Sequence, residues 1–220
     1  MDGDWKSQDY AAHYNKLYAT PAEEFQALAA ILRLAPGDRI VDFGCGNGDF
    51  LQAAMRVASS GLGVDISDEQ LALARRKFAG DSRVEFIKTP FLDFAPGPRT
   101  FTRGFSRKAL HHLTDGEKAV FFAKVGPHFE PGSLFLLEDG IMDFERADLE
   151  ANWDRLMNDC AAYYGDLWEQ KKADVSFCFR SEYPAGIKAW TAAFAAGGFK
   201  LLNTSKKSSF YGSILAEKSR

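Results

Sequence analysis

Apolar residues along this chain follow two periods that take turns. Ile40-Val41-Asp42-Phe43, Gly61-Leu62-Gly63-Val64, Val84-Glu85-Phe86-Ile87 and Leu134-Phe135-Leu136-Leu137 are short, bounded runs of strand character. Between them Phe25, Leu28, Ile31 and Leu32, then Leu71, Ala74 and Phe78, then Val120, Phe121, Val125 and Phe129 recur at three- and four-residue steps, the spacing of one helical face. Strands alternating with helices predict an α/β layered sheet that is mostly parallel. The unbroken run Leu134 to Leu137 suits a strand covered on both faces.

Punctuation refines the elements. Thr20-Pro21-Ala22-Glu23 has the form of a capping box with proline at the first helical position, opening a helix that ends near Ala35. Phe50 to Ala58 reads as the next helix, Ser67-x-x-Gln70 and Thr114-x-x-Glu117 as further caps, and Thr100 to Phe105 as a fourth strand interrupted by Arg103 and Gly104. Ile187 to Ala196 is a last helix stopped by Gly197-Gly198. Phe199 to Leu202 and Ser209 to Ala216 predict a terminal antiparallel hairpin, with Lys206-Lys207 in a solvated turn.

Two segments depart from the alternation. Tyr10, Tyr14 and Tyr18 share a helical face in residues 1–19, which reads either as a helix packed on the body or as a lid. In residues 140–184, Leu149, Trp153, Leu156, Met157 and Cys160 keep helical spacing and are followed by Tyr163, Tyr164, Trp168, Phe177, Phe179 and Tyr183, predicting an inserted helical cap on a single domain spanning 1–220. So many aromatics suit an apolar small-molecule pocket or an interface between copies, so monomer and homodimer both stay open. Arg180 reads as a surface ion pair or as a partner for a substrate carboxylate.

Net charge is −3, and no cluster of basic residues marks a nucleic-acid surface. No apolar run is long enough to span a bilayer. Three scattered cysteines, without a C-x-x-C pair, argue for reduced thiols and a cytoplasmic setting rather than a disulfide framework or a zinc site.

The chemistry concentrates at Arg39 to Phe50, where a strand enters Gly44-Cys45-Gly46-Asn47-Gly48-Asp49. Alternating glycines permit a tight turn and close approach of a ligand. A dinucleotide fingerprint needs a third glycine where Asp49 stands, and that acid repels a diphosphate. Asp65 ends the second strand about twenty residues after Asp42, the offset at which a carboxylate accepts both hydroxyls of a ribose; the alternative is a charge at a helix start.

With an acid two residues before the first glycine, Val41-Asp42-Phe43-Gly44-Cys45-Gly46-Asn47-Gly48-Asp49-Phe50 resembles motif I of the class I S-adenosylmethionine-dependent methyltransferases. The resemblance implies a Rossmann-like α/β fold with a seven-stranded sheet in the order 3-2-1-4-5-7-6, the last strand antiparallel, and helices on both faces. It implies S-adenosylmethionine as cofactor and S-adenosylhomocysteine as product. Asp42, Gly44, Cys45, Gly46, Asp65, Ile66, Pro90, Phe91, Ser106, Arg107 and Tyr14 are its expected contacts. Relatives carry an adenine-binding acid after the third strand; Thr89-Pro90 stands here, so adenine falls to backbone and to stacking on Phe91.

Methyl transfer needs alignment and exclusion of water, and a base only for a protonated acceptor. His111 and His112, in a Leu-His-His-Leu loop typical of the family, are the candidate bases, with a structural role expected for at least one. No metal is expected, because Ser106, Arg107 and Lys108 replace the carboxylates a hard cation requires. Glu138 and Asp139 close the fifth strand, where one of them faces substrate or both serve helix capping or a solvated loop. The leading expectation is methylation of O, N or C on a small apolar or aromatic molecule. A peptide or protein methyltransferase with an open cap, and a non-catalytic cofactor-binding module, are the alternatives.

Overall fold

The computed structural model describes Tyr18 and residues 20–219. The expected lid over 1–19, with Tyr10 and Tyr14, lies outside the described residues apart from Tyr18.

The strands are β1 (Arg39–Phe43), β2 (Ser60–Asp65), β3 (Val84–Lys88), β4 (Phe101–Arg107), β5 (Phe129–Met142), β6 (Ala185–Gly186), β7 (Phe199–Lys206) and β8 (Tyr211–Lys218). They run in the order β3-β2-β1-β4-β5-β8-β7, and the two-residue β6 pairs with β5. Apart from β6, this is the expected order; β6 shifts the numbering of the last two strands. The first five strands pair in parallel, and β8 is antiparallel to both β5 and β7.

Helices α1 (Ala22–Ile31), α2 (Asp49–Ala54), α3 (Asp68–Lys77), α4 (Asp115–Val125) and α7 (Ile187–Ala196) flank the sheet, and α5 (Leu149–Tyr164) with α6 (Trp168–Ser181) forms the predicted cap. Two apolar layers result. Phe43, Phe121, Phe122, Phe135, Trp190 and Phe194 pack on one face, and Leu28, Leu32, Phe50, Leu51, Leu71 and Phe105 on the other. A third cluster joins the cap to β8, with Leu156, Cys160, Val175 and Phe179 against Phe210 and Tyr211. The cap thus sits at the carboxyl ends of the central strands, where open α/β sheets take ligands.

Some boundaries move. β5 extends to Met142, so the cap begins after the strand rather than at residue 140. No side-chain cap forms at Thr20; its hydroxyl donates to the Tyr18 carbonyl, and α1 ends at Ile31. The Thr114–Glu117 capping box is complete. Arg103 and Gly104 do not break β4. Arg103 reaches the edge to bond the carbonyls of Leu32 and Arg33, and a Cβ at Gly104 would lie 2.3 Å from the Phe135 ring, so the strand uses glycine to admit that ring.

Candidate functional site

The expected glycine turn closes β1 against β2. Gly44 (φ +77) and Cys45 both donate to the Val64 carbonyl, and Gly46 (φ +50) donates to Asp65 Oδ2 at 2.8 Å. The other Asp65 oxygen accepts from the Ser67 amide at 2.9 Å, so this carboxylate fastens the turn to the start of α3. Burial raises its pKa against those amide bonds. A Cβ at Gly44 would meet Ala109 Cβ at 2.3 Å; the loop after β4 is pressed against the turn, and only glycine fits.

Beside the turn opens a cleft of about 650 Å³. Asp42, Gly44, Cys45, Gly46, Asp65, Ile66, Pro90, Phe91, Arg107 and His112 all border it. Ser106 does not: it is fully buried, and its hydroxyl donates to the Phe43 carbonyl between β4 and β1. Its inward position on β4 explains the miss. Tyr14 lies outside the described residues. Gln70, Asp93 and Lys108 also border the cleft and were not expected there. Asp93 lies close to the missing adenine acid in sequence, which was the available signal. Asp49 is paired with Lys77, which dilutes the repulsion of a diphosphate expected from it.

Asp42 is 2% exposed, and its carboxyl has no hydrogen bond among the described residues. Burial, then the nearby Asp65 charge, pushes its pKa well up. A buried carboxyl left unpaired at a cleft wall is costly unless a ligand supplies a partner.

A second cavity, about 110 Å³, lies between the strand ends and the cap. Phe177, Phe179, Phe210, Tyr164 and Val175 form its apolar side, and His111, His112, Asp139, Cys178 and Glu182 its polar end. Tyr18, Lys108 and His112 border both cavities.

The two histidines divide in role. His111 is 9% exposed; its Nδ1 is 2.5 Å from Asp139 Oδ1 and its Nε2 is 3.2 Å from Glu182 Oε2, so both ring nitrogens are occupied by carboxylates. Burial opposes its charge, yet the Asp139 contact holds its pKa well above the ordinary value and that of Asp139 below it. Asp139 also accepts from the Ala109, His111 and Gly140 amides, so it anchors the loop at the polar end of the cap cavity. His112 is more open, and its Nδ1 lies 3.2 Å from Glu182 Oε1. Glu182 follows α6, held there because the Tyr183 amide donates to the His111 carbonyl and Lys118 Nζ to the Tyr183 carbonyl. Against its burial, these two imidazoles keep the Glu182 carboxyl far below its ordinary pKa. His111, His112 and Glu182 are also the one trio among the described residues whose ligand atoms gather within 4.8 Å as metal ligands do.

Behind the cleft, Arg107 Nε contacts Glu138 Oε1 at 2.6 Å, Tyr211 donates to the same oxygen, and Lys207 Nζ stands 2.7 Å from Glu138 Oε2. Lys207 stays exposed in its turn, yet its ammonium reaches the buried Glu138, which is consumed within this ion network. Arg180 pairs with Glu150 and lies over the Trp153 ring, on the outside of the cap.

Residues 40–132 match the family described as Methyltransferase domain. The 27-O-demethylrifamycin SV methyltransferase of Amycolatopsis mediterranei is 29% identical over 136 residues, which are 59% of this chain and 48% of that protein. The chain spans about half to three fifths of the length of the curated relatives it matches. A Mesorhizobium loti S-adenosylmethionine-dependent methyltransferase has the same fold, with TM-score 0.64, 20% identity and 91% of this chain covered by 99% of that one. So has magnesium protoporphyrin IX methyltransferase from Synechocystis with bound S-adenosylhomocysteine, at TM-score 0.67, 14% identity, 98% and 97%.

The sheet order, the glycine turn and the second-strand acid define a Rossmann-like cofactor-binding domain. Over residues 40–132 the chain matches a methyltransferase domain, and its fold is that of S-adenosylmethionine-dependent methyltransferases of known structure. S-adenosylmethionine suits the cleft: the volume is in the range of small-molecule sites, the Asp42 carboxyl, without a hydrogen bond among the described residues, borders it, and the glycine turn admits close approach.

Proposed function

We propose that this chain transfers a methyl group from S-adenosylmethionine to O, N or C of a small apolar or aromatic molecule seated beneath the cap. The observation that carries this reading is that the cofactor cleft and the cap cavity share Tyr18, Lys108 and His112, so a donor in one meets an acceptor in the other at those side chains.

The bound cofactor supplies an electrophilic methyl on a sulfonium; the protein aligns, encloses and deprotonates. Asp65 takes the ribose hydroxyls while it braces Gly46, Asp42 takes a donor group, and Phe91 with Pro90 flanks the base. His112 is the base. With Nδ1–H donated to Glu182, the neutral ring carries its acceptor lone pair on Nε2, and Glu182 stabilises the imidazolium that forms. His111, with both ring nitrogens held by Asp139 and Glu182, positions Glu182. The cap cavity, of about 110 Å³, has room for a small ring or chain and favours a small acceptor over a peptide.

The test is calorimetry with S-adenosylmethionine, S-adenosylhomocysteine and NAD, followed by an assay for S-adenosylhomocysteine against pooled small metabolites. Binding of the first two but not NAD, with turnover on a small-molecule fraction, is the expected result. Failure to bind the first two defeats the reading.

A further inference from the structure

The polar end of the cap cavity holds a group of side chains that the proposed reaction uses only in part. Glu182 stands between two imidazoles, with Oε2 3.2 Å from His111 Nε2 and Oε1 3.2 Å from His112 Nδ1. The two ring centroids are 4.4 Å apart, and one ligand atom from each of the three residues lies within 4.8 Å of the others. Around a tetrahedral ion with bonds of ~2.0–2.1 Å, neighbouring ligand atoms stand about 3.3 Å apart. The spacings found here need little adjustment to meet that.

The trio is supported from behind. Asp139 Oδ1 holds His111 Nδ1 at 2.5 Å, which fixes the ring and leaves Nε2 directed at Glu182. A carboxylate in that position is the usual support of a metal-ligating histidine. Glu182 is placed through its neighbour, because the Tyr183 amide donates to the His111 carbonyl at 2.7 Å and Lys118 Nζ donates to the Tyr183 carbonyl. Charge agrees with geometry. With both imidazoles neutral, Asp139 and Glu182 bring two negative charges to a site where His111 is buried and the other two ligands are half-buried, and a divalent cation cancels them. Imidazoles with one carboxylate suit borderline ions of the zinc kind, whereas the hard cation excluded at Ser106 to Lys108 wants an oxygen shell. All three residues border the cap cavity, which has room for a water in the fourth position.

We propose that His111 Nε2, His112 Nδ1 and Glu182 bind one borderline divalent transition ion, Zn²⁺ or Co²⁺ in kind, with a fourth position open to the cap cavity. The ion displaces the proton on His111 Nε2 to solvent and that on His112 Nδ1 to Nε2 of the same ring. With Nε2 protonated, His112 has no lone pair for an acceptor's proton, so ion and base are alternatives at one ring. That consequence rests on the methyltransferase reading above; the ion site itself does not.

The test is titration of the protein with Zn²⁺ against a chromogenic zinc indicator, without cofactor and in excess Mg²⁺. The expected result is one Zn²⁺ per chain, undisturbed by Mg²⁺. Glu182→Gln and His112→Ala should each weaken it by about 10- to 100-fold or more, with a cooperative thermal transition showing each variant folded. Cys178 hydrogen-bonds His111 and Glu182 but does not join the trio, so Cys178→Ala should bind Zn²⁺ within a few-fold of the parent. Absence of stoichiometric binding by the parent, binding that survives both ligand substitutions, or loss in Cys178→Ala alone overturns the site. Release of S-adenosylhomocysteine that continues at full Zn²⁺ occupancy overturns the competition with the base. Failure of S-adenosylmethionine to bind while Zn²⁺ binds as stated strikes the methyltransferase reading instead.

Discussion

His112 Nδ1 lies 3.2 Å from Glu182 Oε1, which joins the loop after β4 to the end of the cap. That contact ties cap closure to the orientation of the proposed base. Glu182→Gln should therefore lower kcat by one to two orders of magnitude, and His112→Ala by about 10²-fold, the lower end of general-base contributions. S-adenosylhomocysteine affinity should change little in Glu182→Gln, since Glu182 does not border the cleft. Steady-state kinetics beside calorimetry reads both; a His112→Ala enzyme with full kcat removes the base assignment.

Gly44→Ala should abolish cofactor binding. The new Cβ would fall 2.3 Å from Ala109 Cβ at a backbone φ of +77, so either the turn or the loop after β4 must move. Gly37→Ala is the control: φ is +94 but no atom lies within 4 Å, so it costs about 1 kcal/mol of backbone strain and leaves binding intact. Calorimetric titration of both variants with S-adenosylhomocysteine separates the two effects.

Asp65→Ala removes the acceptor of two backbone amides, Gly46 and Ser67. Cofactor affinity should fall by about 10- to 100-fold, combining loss of the brace with loss of a ribose partner. Unchanged affinity means that Asp65 is a structural acid only.

The His111–Asp139 pair makes stability depend on pH with a definite sign. Burial opposes both charges, but each partner favours the other, so the His111 pKa is raised and the Asp139 pKa lowered in the folded state. The Asp139 contribution is present above its unfolded value near ~3.9 and is lost as pH falls through the folded value. That of His111 is full below its unfolded value near ~6.5 and is lost as pH rises through the raised folded value. The pair thus stabilises most between those limits. Asp139→Asn leaves His111 with Glu182 as its one remaining carboxylate and should cost about 3–5 kcal/mol there, flattening the profile above neutrality. Thermal unfolding from pH 4 to 9 measures this; parallel profiles for parent and variant contradict it.

What was legible in the sequence depended on how local the cause was. The glycine turn, Asp42 and Asp65 were readable because turn chemistry and the strand-end acid are set by spacing over a few residues. The cap was readable from its helical spacing. Glu182 and Lys108 were not, because their roles arise when the end of α6, far along the chain, folds over the loop after β4. Lys207 looked like a solvated turn residue, yet the hairpin between β7 and β8 carries it to the buried Glu138. Ser106 looked exposed to the cofactor, but β4 turns it inward to Phe43.

The central claim is that donor and acceptor meet at His112 between the cleft and the cap. It is tested most directly by measuring S-adenosylhomocysteine released from S-adenosylmethionine with a panel of small phenols, for the parent protein and for His112→Ala. The account predicts acceptor-dependent release by the parent and a fall of about 10²-fold in the variant with cofactor still bound. Release that is absent with every acceptor while S-adenosylmethionine binds, or that is unaffected by the substitution, would contradict it.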